Sequence, residues 1–279
     1  MSNLTQSRRN ILKAAVALAA FPLGSEAKAA FLFKQSAPKL KPSIVCPARV
    51  LVPAYFWDAV QWDKIIATTK PCDIIFNPSS GPYGENYQLS TGWSRVWFDP
   101  KLAAVTQRGH SVFGYVATGY GKRALADILA EVDAYIQYWG VSNFFFDEVA
   151  GTPEAFAMYQ TLYAQVKSKA ANAVIILNAG VLSDSLVPYF GLGSSVRIVT
   201  YENTQKQWSS RYRPSWHKSY MNRSYALVHT CSSSNATQVL GECATEGYLG
   251  AYCTDRAMTQ DPWSALASYW ATESTCPSK

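Results

Sequence analysis

The sequence has little of what metal and cofactor chemistry needs. It contains three histidines, His110, His217 and His229, which are dispersed and form no HExxH pattern or paired histidine and cysteine spacing. Such spacings are the local sequence signatures of zinc sites. The chain also lacks a GxSxG nucleophile elbow, a phosphate-binding loop and a glycine-rich dinucleotide fingerprint. The sequence therefore predicts neither a metal site nor a cofactor.

Long basic runs and long apolar segments are also absent beyond the first thirty residues. Residues 7–13, SRRNILK, resemble a twin-arginine export signal, and the apolar stretch 14–23 is too short to span a bilayer. Removing residues 1–29 takes away four of the 25 basic residues and one of the 19 acidic ones, which leaves a net charge of +3. We therefore expect a periplasmic or secreted protein that binds neither nucleic acid nor, after signal removal, a membrane. An amphipathic surface helix is the alternative for this segment.

All six cysteines follow the predicted signal, and an even number in an exported protein favours disulfides over metal binding. They are Cys46, Cys72, Cys231, Cys243, Cys253 and Cys276. The first two open neighbouring predicted strands, whereas Cys231 and Cys253 close two others. We therefore expect the disulfides Cys46–Cys72 and Cys231–Cys253, which leaves Cys243 to pair with Cys276.

Strand-like and helix-like segments alternate along the chain. Most strand-like segments are rich in Val, Ile, Phe or Tyr and are apolar on both faces, as buried parallel strands are. They cover residues 50–55, 73–77, 112–118, 143–147, 174–178, 196–202, 225–230 and 247–254. Eight strand–helix units predict an α/β fold, a single (β/α)8 TIM-type barrel over residues 46–279 that follows an N-terminal segment at 30–45. A doubly wound open sheet is the alternative.

Polar residues fall at or near the carboxyl-terminal end of every predicted strand. They are Tyr55, Asn77, Thr118, Asp147, Asn178, Glu202, His229 and Thr254. In a barrel these strand ends form the active face. One polar residue where a strand stops indicates little, but eight in succession, two of them acids, predict a site.

The two acids at strand ends predict the chemistry. One apolar strand ends in Asp147 and Glu148, and another ends in Glu202. A carboxylate at the tip of a buried strand is costly without a use, and two carboxylates can cleave a glycosidic bond. We predict Asp147 as the nucleophile and Glu202 as the general acid and then base, with Glu148 supporting or lining the pocket. A buried ion pair of Glu202 with Arg197 or Arg123 is the structural alternative.

Aromatic residues cluster on or just after the predicted strand ends, where their rings can cover the apolar faces of sugars. Together with polar strand ends they form a predicted substrate-binding set. Its members are Tyr55, Trp57, Asn77, Tyr83, Tyr115, Tyr120, Asn178, Tyr201 and His229. Core packing is the alternative explanation for about half of the rings.

Five ordered motifs resemble those of the spherulin-4 (spherulation-specific) family. They are VPAYFW at 52–57, NPSSGP at 77–82, GYVATGYG at 114–121, FFDE at 145–148 and YE at 201–202. The resemblance spans roughly residues 48–254 and implies a (β/α)8 glycoside hydrolase. It further implies a substrate of α-1,4-linked galactosamine or N-acetylgalactosamine, such as the galactosaminogalactan of biofilms. In this chain the implied catalytic residues are Asp147 and Glu202, with Glu148 as the neighbouring acid.

The combined prediction is an exported, monomeric, endo-acting glycoside hydrolase that cleaves an amino-sugar polysaccharide without metal or cofactor. Two alternatives stay open. The first is a non-catalytic saccharide-binding or wall-associated protein that uses a barrel cleft. The second is a hydrolase of a different polymer. The sequence also leaves open whether cleavage retains or inverts the anomeric configuration.

Overall fold

The computed structural model describes residues 44–82 and 93–278, in which eight parallel strands form a closed barrel. The strands are β1 (Arg49–Ala54), β2 (Cys72–Phe76), β3 (Ser111–Ala117), β4 (Asn143–Asp147), β5 (Ile175–Asn178), β6 (Val196–Thr204), β7 (Ser224–His229) and β8 (Gly250–Cys253). They pair in sequence order, and β8 pairs with β1. The predicted (β/α)8 barrel is therefore confirmed, and the open-sheet alternative is wrong.

An α-helical segment follows each strand in the described part of the chain. These segments are α1 (Ala59–Ile66), α2 (Trp93–Gln107), α3 (Leu125–Ala134), α4 (Phe156–Lys169), α5 (Val187–Phe190), α6 (Gln205–Trp208), α7 (Ser233–Glu246) and α8 (Trp270–Thr275). The sequence marks some of their ends. Asp58 caps the first turn of α1 by accepting two backbone amides, and Gly247 ends α7 with a left-handed φ of +91°.

The strands that carry the predicted site are buried on both faces. All five residues of β2 are buried, and the three phenylalanines of β4 are fully buried. Phe145 stacks on Tyr115 of β3, while its neighbours Phe144 and Phe146 stack on each other. Side chains alternate along a strand, so the two stacks lie on opposite faces of the barrel wall. This double burial explains why the strands are continuous apolar runs in the sequence.

A buried charge cluster lies at the amino-terminal mouth of the barrel. Asp73 Oδ2 accepts hydrogen bonds from Arg49 Nε at 2.8 Å, from an Arg197 guanidinium nitrogen at 2.9 Å and from the Tyr225 hydroxyl. A Cβ atom at Gly250 would lie 2.5 Å from the Tyr225 ring, so the glycine makes room for it. Because these side chains come from β1, β2, β6 and β7, the cluster ties four strands together.

The Cys46–Cys276 disulfide joins the segment before β1 to the residue after α8. The two ends also meet through the backbone, because the Cys46 amide donates to the Pro277 carbonyl at 2.8 Å. The predicted pairs Cys46–Cys72 and Cys243–Cys276 are therefore wrong. The described residues contain four buried free thiols, Cys72, Cys231, Cys243 and Cys253. The third predicted disulfide, Cys231–Cys253, is thus not formed either.

The predicted export signal at 1–29 lies outside the described residues, as does most of the predicted segment at 30–45. Both assignments stay predictions. Among the residues that are described, no helix is long and apolar enough to cross a membrane.

Candidate active site

Three strands bring two carboxyl groups and one amide together at the carboxyl-terminal mouth of the barrel. Asp147 ends β4, Asn178 ends β5, and Glu202 lies in the second half of β6. Asn178 Nδ2 donates to Asp147 Oδ1 at 2.7 Å and to Glu202 Oε2 at 2.5 Å. Because both bonds share one nitrogen, the two carboxyl oxygens are at most about 5.2 Å apart, the two bonds laid end to end. The two acids expected from the sequence therefore meet at one site.

An irregularity in β6 directs Glu202 toward this site. The register of β6 with β7 shifts between Val199 and Tyr201. The Glu202 amide donates to the Gly180 carbonyl at 2.7 Å, and a Cβ atom at Gly180 would lie 3.7 Å from Glu202 Cβ. A bulge of this kind re-aims a side chain near the end of a strand. Gly180, with a φ of +66°, lets the loop after β5 turn close to the acid.

Neutral donors hold the Asp147 carboxylate. The Tyr115 hydroxyl donates to Asp147 Oδ2 at 2.8 Å, and Asn178 donates to the other oxygen. Burial raises the pKa of Tyr115 and the Asp147 charge raises it further, so the hydroxyl stays a proton donor at neutral pH. The Tyr55 ring packs edge-on against Tyr115 with centroids 5.4 Å apart. Tyr55 and Tyr115 thus form an aromatic wall beside the carboxylate.

Glu202 has a strongly raised pKa. Its Oε2 atom accepts from Asn178, and its Oε1 atom accepts from Trp263 Nε1 at 3.2 Å. Burial is the main cause that raises the pKa to about 7; the Asp147 charge adds to the rise, and the two hydrogen bonds oppose it. Near neutral pH both the protonated and the charged form of the carboxyl group are therefore populated. A group with this pKa can both give and take a proton.

No described lysine or arginine forms an ion pair with Asp147 or Glu202. Arg197 forms its ion pair at the opposite mouth of the barrel, and Arg123 pairs with Glu131. The structural alternative from the sequence, a buried ion pair of Glu202 with one of these arginines, is therefore wrong.

The chain bends directly after Asp147. Glu148 has a φ of +53°, in the left-handed region that residues other than glycine rarely adopt. The Tyr120 amide and the Thr118 hydroxyl both donate to the Glu148 carbonyl at 2.7 Å and hold the bend. Strain of this kind costs on the order of 1 kcal/mol and clusters at functional sites. Glu148 is half-buried and follows Asp147 directly, and its supporting or lining role stays a prediction.

Two rings of the predicted substrate-binding set lie exposed after strand ends. Trp57 follows β1 and Tyr120 follows β3, and they are 39% and 62% exposed. Trp57 Nε1 donates to the Pro78 carbonyl at 2.6 Å, and its ring stacks on Trp97. Both rings are therefore accessible to a ligand at this mouth. Tyr83 lies outside the described residues and stays a prediction.

Three further members of the set make contacts of their own. Asn77 Oδ1 accepts a hydrogen bond from a backbone amide of the loop after β2. His229 is buried edge-on to an indole ring, and burial lowers its pKa, which keeps it neutral. The Tyr201 ring packs against Trp208 of α6, on the opposite face of the strand from Glu202, because adjacent side chains alternate. Tyr201 therefore packs toward α6, and its predicted contact with substrate stays a prediction.

The interpretation of the sequence missed Trp263. Its indole is buried after β8 and donates to Glu202, and its backbone amide is held by the Asp261 carboxylate at 3.1 Å. The loops that follow barrel strands all lie at the same mouth. The only signal in the sequence for Trp263 was therefore its place, as an aromatic residue, in such a loop. A search of the loop after β8 for aromatic residues could have found it.

The chemical capability of this site rests on its carboxyl groups. Asp147 accepts from two neutral donors, while Glu202, which shares one of those donors, titrates near neutral pH. Two carboxyl groups at this separation can act as nucleophile and general acid on one bond. Within the described ranges, no group of three His, Cys, Asp or Glu side chains could hold a metal ion.

Comparisons with known proteins address the family resemblance. Spherulin-4 of Physarum polycephalum is 27% identical in an alignment 243 residues long that covers 82% of this chain and 70% of that protein. A glycosyl hydrolase family 2 member from Bacteroides cellulosilyticus gives a TM-score of 0.43 at 12% identity, over 75% of this chain and 28% of its own. A catalytic lysine mutant of Ruminococcus gnavus sialic acid aldolase gives a TM-score of 0.41 at 10% identity. This match covers 74% of this chain and 66% of the aldolase chain. The family model for Spherulation-specific family 4 matches residues 49–275, and the chain therefore belongs to this family, Spherulin4.

Proposed function

We propose that this protein is a glycoside hydrolase that cleaves α-1,4-linked galactosamine or N-acetylgalactosamine polysaccharide. The observation that carries the proposal is the pair Asp147 and Glu202, whose nearest oxygens lie within about 5.2 Å across Asn178. Hydrolysis of a glycosidic bond uses two carboxyl groups that flank that bond. The substrate class follows from the family resemblance of the five motifs.

The upper limit of about 5.2 Å between the two carboxyl oxygens that Asn178 binds supports retention of the anomeric configuration. Retaining enzymes hold them roughly 5–5.5 Å apart, whereas inverting enzymes need roughly 6.5–9.5 Å to admit a water molecule. In the proposed first step the Asp147 carboxylate bonds to the anomeric carbon as the glycosidic bond breaks, and Glu202 gives its proton to the leaving oxygen. In the second step Glu202 takes a proton from water, whose oxygen replaces Asp147 on the anomeric carbon. One water molecule is consumed, and both groups return to their starting states.

The surrounding donors support this division of roles. Tyr115 and Asn178 each donate to Asp147, which orients the carboxylate for attack. Asn178 also donates to Glu202 and so sets the distance between the two acids. Burial keeps a proton on Glu202 up to about pH 7, as a general acid requires.

The proposal includes export from the cytoplasm. The Cys46–Cys276 disulfide fits a protein that works in an oxidising compartment. The signal predicted at 1–29 supports a periplasmic or secreted enzyme that meets an extracellular polysaccharide as a monomer.

Product release from defined polysaccharides tests the proposed function. The purified protein is incubated with α-1,4-galactosamine polymer, its N-acetylated form and unrelated glycans, and new reducing ends are counted. We expect release only from the amino-sugar polymers, with proton NMR detecting the α-anomer first. Asp147→Asn and Glu202→Gln should abolish release while circular dichroism stays unchanged. Asp99→Asn, an exposed acid on α2, is the matched control and should leave release unchanged.

Three other results would redirect the proposal. Near-normal activity in both acid variants would remove the two-carboxylate mechanism. Glycan binding with no product, in the wild type and both variants alike, would favour the saccharide-binding alternative. Cleavage of an unrelated polymer alone would change the substrate and keep the mechanism.

A further inference from the structure

Away from the carboxylate pair, an acidic side chain holds an exposed aromatic ring in place. The Tyr212 hydroxyl, between α6 and β7, donates to Asp184 Oδ1 at 2.9 Å, and Trp216 Nε1 donates to the same oxygen at 2.7 Å. We call Tyr212, Asp184 and Trp216 the rim platform. Asp184 follows β5 and the two rings follow β6, so the platform joins the loops that leave the strands of Asn178 and Glu202.

The rim platform presents an apolar face and an unused acceptor to solvent. Tyr212 is 51% exposed although its hydroxyl is anchored. Asp184 is exposed too, and its Oδ2 atom accepts no hydrogen bond from any residue that the structure describes. A ring that is already fixed loses less conformational freedom when a ligand packs on it. An aromatic face beside a free carboxylate oxygen matches a sugar, which offers an apolar C–H face edged by hydroxyl or amino donors.

The rim platform is connected to the carboxylate pair through the loop after β5. Gly180 packs beside Glu202, and the next residue, Val181, is 68% exposed. Asp184 is four residues beyond Gly180, a span of at most about 14 Å for an extended chain. The Ser185 hydroxyl donates to a backbone carbonyl in the loop after β4, which ties the two loops together. The platform is therefore fixed to the loops that surround the pair.

We propose that the rim platform binds a sugar unit of the polysaccharide beyond the two units that flank the cleaved bond. This inference rests on the proposed function. The Tyr212 ring stacks on the C–H face of the sugar, and Asp184 Oδ2 accepts a hydrogen bond from a hydroxyl group or pairs with an ammonium group. Trp216 holds Asp184 in position. Such a subsite raises the affinity for polymer over short fragments without touching the reacting atoms.

Polymer binding, measured apart from cleavage, tests the rim platform. Affinity electrophoresis of Asp147→Asn in gels that contain α-1,4-galactosamine polymer follows binding while the polymer stays intact. Adding Tyr212→Ala should weaken binding about tenfold, whereas Tyr212→Phe keeps the ring and should weaken it about twofold. Val60→Ala, at an exposed position on α1, is the surface control and should bind like the parent. In the active protein, Tyr212→Ala should raise KM for the polymer more than KM for a trisaccharide.

The outcomes separate this inference from the proposed function. Equal binding of the parent and Tyr212→Ala overturns the rim platform, and cleavage by the wild type then leaves the hydrolase standing. Equal losses of polymer binding in Tyr212→Phe and Tyr212→Ala would mean that the Tyr212 hydroxyl only connects two loops, and this result also overturns the rim platform. Loss of binding in Tyr212→Ala alone, with no cleavage by the wild type, overturns the hydrolase and keeps the glycan site. Absence of binding by the parent overturns both for this polymer.

Discussion

The carboxyl groups at the two mouths of the barrel have partners of different charge. At the amino-terminal mouth, Asp73 is fully buried between the guanidinium groups of Arg49 and Arg197. At the carboxyl-terminal mouth, the carboxyl groups of Asp147 and Glu202 accept hydrogen bonds only from neutral donors within the described part of the chain. A carboxylate between two cations has its charge neutralised, whereas one held by neutral donors keeps its reactivity.

The comparison shows that the charge of an acid's partners, more than its burial on a strand, separates a structural acid from a functional one. Asp73, Asp147 and Glu202 all lie on buried parallel strands. Removing one partner of a buried ion pair leaves an uncompensated charge and is strongly destabilising. Removing an acid that has no cationic partner leaves no uncompensated charge, although its neutral donors lose an acceptor. We therefore expect stability to depend on one mouth and chemistry on the other.

The largest expected effect is on catalysis at the carboxyl-terminal mouth. Asp147→Asn should lower kcat by about 10³-fold or more, because the amide cannot attack the anomeric carbon. The free energy of unfolding should stay the same or rise by up to about 1 kcal/mol, since one of two neighbouring acids is removed. Reducing-end assays and urea titration measure the two quantities. A loss of several kcal/mol would show that Asp147 is structural and would break the comparison.

The next largest effect is on stability at the amino-terminal mouth. Asp73→Asn should lower the free energy of unfolding by about 3 kcal/mol, because two arginines lose their partner while part of each side chain still reaches water. The kcat of the folded fraction should not change. The matched control is Asp99→Asn, which breaks an exposed pair with Arg95 and should cost about 0.5 kcal/mol or less. Equal losses in the two variants would contradict the structural role of Asp73.

The smallest expected effect is a shift in the pH profile. Glu202 must be protonated to act as an acid, so kcat should fall as pH rises through about 7. Trp263→Phe removes a hydrogen bond that favours the charged form of Glu202. The pKa should therefore rise, and the alkaline limb of the profile should move upward by about one pH unit. An alkaline limb that stays in place or moves to lower pH would show that Trp263 does not lower the pKa of Glu202.

Local patterns in the sequence were sufficient for the barrel and for the pair of acids. A strand buried on both faces leaves a mostly apolar run, as in β4 and, apart from Arg197 and Thr200, in β6 up to Tyr201. Asp147 and Glu202 interrupt those runs near their carboxyl-terminal ends, which face one mouth in a parallel barrel. The correct side for Tyr201 was also available, because the neighbour of an inward-facing Glu202 must face outward.

Contacts between distant segments account for what the sequence did not reveal. Cys46 and Cys276 are 230 residues apart and meet only because the chain returns to the start of the barrel. Trp263 reaches Glu202 across 61 residues, from a loop without an acidic strand end to mark it. The left-handed bend at Glu148 likewise depends on donors from the loop after β3. No local spacing rule encodes these three features.

Direct titration of Glu202 tests the central claim without any assumption about the substrate. Carbon-13 NMR of protein labelled at the glutamate carboxyl groups follows each acid with pH, and Glu202→Gln identifies the resonance. We expect a midpoint near pH 7 for this group. A midpoint near the ordinary value of 4.5 would mean that Glu202 is a solvated anion at neutral pH, which contradicts its role as the proton donor.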